Sequence, residues 1–353
     1  MRVWTVRWTR VKTAVTAAGL LAVGAGLLCL PEAAATGMRR GLSLCAERLV
    51  PTLFPFLVLS GTVARTGLCD RLGTRLGGLT RRLFGLPGVC AAGMLLGFVG
   101  GYPAGASVAA NLTRDGRISR EEGRRMLRCC VNAGPAFLIG TVGAGMLGSA
   151  ESGALLLAAQ WAASLCIGRF GRRIAGSPPS ALPAASCPLA VALTKSVNEA
   201  AAAMLGMSGF AALASALLSV LDALGVPAAL TAVAAGVSEV SLGSLAVIRA
   251  GTMTPFWLGL IIGWGGLSVH GQIAMLAAPE GLLTRDFVRA RLEQGLLAGL
   301  FSWVLFRLFP GTAAVLASAP LIQPFAGSSF TGSAALLGLV AVWLLTVRRG
   351  ERA

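Results

Sequence analysis

Charge is scarce in this chain: only 12% of its 353 residues are Asp, Glu, Lys or Arg, against roughly 25% in a soluble globular domain. Acidic residues are rarer still, 14 against 30 basic ones, and there is one histidine, His270, and one tyrosine, Tyr102. No HExxH, P-loop, GxSxG or CxxC pattern occurs, so the sequence offers none of the usual nucleophile, phosphate or zinc signatures. No catalytic residue, metal site or cofactor is expected, and the reading is of a non-enzyme. No alternating strands of about ten residues appear, which argues against a membrane β-barrel.

What is present is apolar. The composition is 55% hydrophobic, with a mean hydropathy of +0.76. Uncharged runs at 13–31, 83–113, 129–150, 200–221 and 308–347 approach or exceed the ~20 residues of a spanning helix. An all-α polytopic membrane protein follows. The net charge of +16 does not imply nucleic acid, because the arginines cluster in short segments between apolar runs, as cytoplasmic loop charges do. Most of the eight cysteines, including adjacent Cys129 and Cys130, lie in or beside apolar runs, and they read as small buried hydrophobes. Residues 1–36 have a basic start and an A-x-A-like "PEAAATG", but their apolar stretch exceeds the 7–15 residues of a signal peptide. An uncleaved first helix is preferred.

Charge placement constrains the path of the chain. The segments 1–12, 69–82, 114–128, 169–195, 285–291 and 348–352 carry most of the basic residues and are assigned to the cytoplasm. Both flanks of the 83–113 run are then cytoplasmic, which one full crossing cannot satisfy. A re-entrant hairpin can, with its tip at "GGYPAG", where Gly100, Gly101, Pro103 and Gly105 interrupt the helix. Non-helical backbone at that depth is tolerated only where protein buries it or it lines a cavity. Gly134 and Pro135 break the following helix. In the second half, "GVSEVSLGS" suggests a second hairpin, and Gly265 and Gly266 in "GWGGLSVHGQ" break the next helix. Segments 114–128 and 281–293 read as amphipathic surface helices or plain loops.

The halves 49–168 and 198–312 thus share one order (helix, hairpin, broken helix, helix) in opposite orientations. Glu47, Asp70, Leu72 and Gly73 also recur as Glu199, Asp222, Leu224 and Gly225 at constant spacing. An inverted-topology repeat with two re-entrant hairpins and two broken helices is the plan of secondary transporters, with substrate bound near the midplane. The expected segments are an N-terminal helix (1–36), a first repeat (40–170), a cytoplasmic linker (171–195), an inverted second repeat (196–312) and a C-terminal helix with a basic tail (313–353).

Polar residues left inside the membrane mark the expected site: Tyr102, Ser107, Asn111 and Asn132 in the first half, and Ser238, Glu239, Ser241, Ser244, Ser268, His270 and Gln272 in the second. A charge at the bilayer centre costs ~2.5–3.5 kcal/mol on insertion scales, so Glu239 is expected to be protonated, paired or aimed at a coupling cation. Glu239 and His270 are expected to reach one cavity. Half-helix N-termini carry partial positive charge and suit a small anion, although hydroxyls and amides could equally hold a neutral planar ligand.

Four stretches, "LFPFLVLSG" (53–61), "GGYPAGA" (100–106), "NAGPAFLIGTVG" (132–143) and "GGLSVHGQ" (265–272), resemble the YlbJ-type sporulation integral membrane proteins, also called stage V sporulation protein V, of the wider nucleoside-recognition (Gate) group. The resemblance spans about residues 40–310. It implies an endospore former and movement of dipicolinic acid from the mother cell across the outer forespore membrane. It also implies a plan similar to concentrative nucleoside transporters, so a nucleoside-like substrate is the alternative. A non-transporting structural protein of spore-envelope assembly is the rival from another class. The implied partners are a small-molecule anion and the lipid bilayer, with a homo-oligomer and the coupling ion left open.

Overall fold

A computed structural model of the chain describes residues 2–66, 68–170, 187–251 and 254–310. The C-terminal helix expected within 313–353 and most of the 171–195 linker lie outside the described residues. Within them the chain is helical, without strands, as a bilayer demands of a spanning segment that must satisfy its own backbone.

Helix α1 (Arg2–Cys29) is followed by α2 (Pro31–Leu44), and the two meet at a bend of 98°. The expected N-terminal helix over 1–36 therefore ends at Cys29, and residues 31–44 belong to a second helix. It has Pro31 at its start and Glu32 in its first turn, both N-terminal signals. The helix lies on α9 (Leu189–Ala223) because Gly37 and Gly41 let backbones meet: a Cβ on Gly41 would sit 2.7 Å from Ala212 Cα. A single π-turn, Cys45–Leu49, leads into α3 (Val50–Arg65). The amphipathic α4 (Leu68–Phe84) follows.

The first hairpin is α5 (Cys90–Gly100) and α6 (Tyr102–Arg114). At ~1.5 Å per residue, helices of 11 and 13 residues are too short for the ~30 Å hydrocarbon core. Gly101, at φ +87°, makes the turn between them. The arms pack through Gly97 and Gly105, and both glycines also abut the Cys130 carbonyl. Arg125 donates to the carbonyls of Phe84 and Gly85 at 2.8 and 2.9 Å, so the chain returns to the end of the molecule from which the hairpin departs.

Next come α7 (Arg120–Cys130), a non-helical stretch 131–134, a π-helix Ala136–Leu147 and α8 (Ala150–Phe170). Residues 120–130 are therefore the first half of the broken element. Within 114–128, read as an amphipathic helix or a loop, residues 120–128 are helical with one face buried and Arg120 and Glu121 exposed. A capping box starts α7: the Ser119 hydroxyl accepts from Glu122 N–H, and the Ser119 N–H donates to Glu122 Oε2 at 2.8 Å. The face beyond it buries Gly123, Arg125, Met126, Leu127, Cys129 and Cys130.

In the second half α9 leads to a hairpin of α10 (Ala228–Ser238) and α11 (Val240–Ala250), with Glu239 extended between them. The broken element α12 (Thr254–Trp264) and α13 (Gly266–Ala277) precedes α14 (Arg285–Leu308). Helices α12 and α14 interlock through small residues, with Gly259 against Ala298 and Ser302 and Gly263 against Gly295, as tight membrane helix pairs do. Residues 285–293 are the first turns of α14, not a separate surface helix, and Arg291 is fully buried.

Both halves thus follow the order helix, hairpin, broken helix, helix. The constant-spacing echo does not mark that equivalence. Leu72 and Gly73 sit inside α4, whereas Leu224 and Gly225 form the turn before α10.

Among the described residues α8, α9 and the combined Thr254–Ala277 element are long and apolar enough to cross a membrane. The bent Thr16–Glu47 pair would be a fourth. With single cysteines on a cysteine-free background, positions next to Arg82 and Arg117 are expected to react with a membrane-impermeant reagent from the same, cytoplasmic face. Labelling from opposite faces would remove the hairpin from the fold.

Candidate functional site

The four backbone breaks meet in two pairs. Gly134, in the first broken element, lies against the tip of the first hairpin: a Cβ there would sit 2.8 Å from the Val99 carbonyl and 3.0 Å from Gly101 N. Gly266, in the second, lies against the tip of the other hairpin, where a Cβ would sit 3.0 Å from Glu239 N and Cα. At φ +76° Gly266 also occupies a backbone region that L side chains rarely adopt. These approaches explain why the sequence concentrates glycine at the breaks.

The pairs enclose a small cavity lined by Gly100, Gly101, Tyr102, Pro103, Gly134, Glu239, Ser241, Ser268 and Gln272 on the polar side. Leu49, Leu53, Leu57, Phe137 and Met207 close its apolar side. The N-terminal turns of α6, the π-helix, α11 and α13 all contribute to this lining. The space open to the centre of a water-sized sphere is only about 40 Å³. That suffices for a few waters or one ion with its water, since one water needs about 10–15 Å³ by this measure.

A larger chamber, about 740 Å³ by the same measure, adjoins it between α3, α6, α9 and α13. Pro103, Ser107, Asn111 and Arg114 line its α6 side, with Arg65, Glu199 and Glu280 also in its wall. Arg65 is ion-paired with Glu199, and Arg114 donates to the Asn111 side-chain oxygen. Leu57, Pro103 and Gln272 line both spaces and form the partition between them.

The expected site residues divide accordingly. Tyr102, Glu239, Ser241, Ser268 and Gln272 face the small cavity, and Ser107, Asn111 and again Gln272 face the chamber. The Tyr102 hydroxyl donates to the Ile262 carbonyl at 2.6 Å, tying the first hairpin to α12. Glu239 caps α11, its Oε2 accepting from Leu242 N–H at 2.8 Å. Ser244 is buried and bonds back to the Val240 carbonyl. Ser238 bonds to the Ala235 carbonyl and lines neither space. His270 does not share the cavity of Glu239, contrary to the expectation that both reach it. Its Nδ1 lies 2.8 Å from the Gly266 carbonyl, and its ring packs on Trp264 and edge-on to Phe287. The helical phase of α13 turns His270 away from the face shared by Ser268 and Gln272.

Asn132 belongs to a buried polar network that the sequence reading missed. Where α7 ends, its last carbonyls lose their helical partners. Arg291 donates to the carbonyls of Val131 and Arg128. Asn132 donates to the Cys129 carbonyl at 2.9 Å, and the Ser164 hydroxyl lies at the same distance from it. Gln294 donates to the Gln160 carbonyl at 3.0 Å, and Gln160 to the Gly259 carbonyl at 2.9 Å. A cation at a helix C-terminus is also favoured by the dipole. Arg291 had been counted among the cytoplasmic charges. Its place on the Phe287, Ala290, Arg291, Gln294, Ala298 and Ser302 stripe of buried α14 residues is the signal that would have found it.

Fold and composition together define a multi-pass, all-helical integral membrane protein. Consistent with the motif resemblance, the chain is 27% identical over 342 residues to a curated relative from Bacillus subtilis (strain 168), described as "Sporulation integral membrane protein YlbJ". That alignment covers 85% of this chain and 84% of the relative. No family model and no solved structure matches.

Replacing Arg291 with methionine leaves two buried carbonyls without donors, at about 1–3 kcal/mol for each unsatisfied group. Purified Arg291→Met protein is expected to melt several degrees below wild type, and Gly266→Ala likewise. Unchanged melting of both variants would show that the breaks tolerate looser packing.

Proposed function

We propose that the protein is a transporter of a small planar organic anion, dipicolinic acid, moved from the mother cell across the outer forespore membrane during sporulation. The observation that supports it is the pairing of two hairpin tips with two helix breaks beside a chamber large enough for such a ligand. Ligand pockets commonly enclose about 300–1,000 Å³, and the chamber holds about 740 Å³. The re-entrant reading of both hairpins, the inverted relation of the two halves and the resemblance in plan to concentrative nucleoside transporters belong to this proposal. The sporulation name of the Bacillus subtilis relative supports the setting.

In this reading the organic acid sits in the chamber rather than in the small cavity. Ser107, Asn111 and Gln272 offer hydroxyl and amide donors along its length, and Arg65 and Arg114 supply positive charge in its wall. A carboxylate bound there gains charge-assisted hydrogen bonds, each worth about 1.5–3 kcal/mol. Glu199 and Glu280 lie in the same wall and weaken the preference for an anion. That observation favours the second reading, a neutral nucleoside-like ligand held by the same amides and hydroxyls.

Cells lacking the protein are expected to make dipicolinic acid yet form spores poor in it, and normal spore content would count decisively against the first reading. In proteoliposomes, Asn111→Ala and Gln272→Ala are expected to lower dipicolinate uptake by roughly tenfold to a hundredfold, the equivalent of one such bond. His270→Ala is expected to retain it. Saturable nucleoside uptake without dipicolinate uptake would select the second reading.

A further inference from the structure

The small cavity at the helix breaks contains an acid that no basic side chain neutralises. Glu239 is 2% exposed, and none of the ion pairs among the described residues includes it. One carboxylate oxygen accepts from Leu242 N–H, and the Val240 and Ser241 N–H groups and the Ser241 hydroxyl also bond to the group. Ser268 and Gln272 line the same space, and each carries a buried side-chain oxygen, Oγ and Oε1. Both residues are 3% exposed, and neither atom has a hydrogen-bond partner among the described residues. An amide oxygen can only accept, so Gln272 Oε1 calls for a donor or a cation. Three residues with buried side-chain oxygens of different kinds therefore line one space, and two of those oxygens are without a partner among the described residues.

We propose that this cavity binds a single monovalent metal cation, held by the Glu239 carboxylate, Ser268 Oγ and Gln272 Oε1, with water completing the shell. Hard cations take carboxylate, amide and hydroxyl oxygens, and the space suits an ion with its water rather than an organic acid. Charge selects the valence. One carboxylate balances one positive charge, whereas a divalent ion would leave a net charge in a low-dielectric site. The N-terminus of α11 is the one Glu239 itself occupies, so its carboxylate offsets that positive end before any ion enters. Gln272 also lines the chamber, which puts the cation one side chain away from an organic ligand there. The inference concerns the ion alone and does not depend on what the chamber carries.

Thermal unfolding of the full-length protein in detergent, without organic substrate, tests it. Sodium, lithium or potassium chloride would be titrated against choline chloride at constant ionic strength. A ligand that binds only the folded state raises the melting temperature in proportion to its occupancy. A saturable rise with at least one of the three metal ions is expected. Glu239→Gln and Gln272→Ala should each raise the half-saturating concentration about tenfold or more, while His270→Ala should leave it near the wild-type value. If one variant fails to fold, the other still reports. No ion-specific rise in the wild type would overturn the assignment. So would a rise that persists unchanged in the variants that fold.

Discussion

Ending a helix inside a packed protein interior exposes carbonyls that water cannot reach, and the rest of this molecule is arranged around solving that problem at the end of α7. Arg291 supplies two donors from a different helix in the other half of the chain, and Asn132 and Ser164 serve the carbonyl between. With the ladder of α7 terminated, residues 131–134 can leave the helix and bring Gly134 against Gly101. The glycines of the first hairpin then close around the Cys130 carbonyl. The position of the tip is set by a cap on a different element.

The same network welds the two halves together. Gln160 reaches the Gly259 carbonyl, Tyr102 reaches Ile262, Arg124 reaches Gly281, and Arg128 pairs with Glu293. Most of these bonds end on backbone carbonyls, which fixes position without depending on a matched side chain. By contrast, α2, α3 and α9 meet mainly through small and aliphatic residues, with Gly37 and Gly41 at the closest approach. The chamber lies where α3 and α9 face α6 and α13. It is bounded on one side by the glycine-packed helices and on the other by elements of the bonded body.

The breaks were legible because glycine and proline are costly inside helices and stood out in uncharged runs. Their order along the chain follows from that reading, and so do most of the residues at the small cavity. The network was not legible in the same way. Gln160 and Ser164 are isolated polar residues in an apolar helix, and Arg291 ends a basic segment that resembles an ordinary loop. Only the phase of α14 separates Arg291 from its exposed neighbour Arg289. Two local signals were present and unused: Ser119 and Glu122 at capping-box spacing, and Pro31 with Glu32 at the start of α2. His270 shows the converse failure. Proximity in sequence to a break does not decide which face of the helix a side chain occupies.

The partition of Leu57, Pro103 and Gln272 has an electrical consequence. In the proposed transporter, a chamber of this size beside a cavity that admits only a few waters would divide the path very unequally. Wherever the chamber is hydrated from one face, it carries the potential of that face inward, and the voltage across the membrane falls over the thin layer containing the hairpin tips. A unit charge crossing that layer exchanges nearly the whole of the ~2.3 kcal/mol per 100 mV available. Glu239 and anything bound to it would therefore sit where the field is steepest.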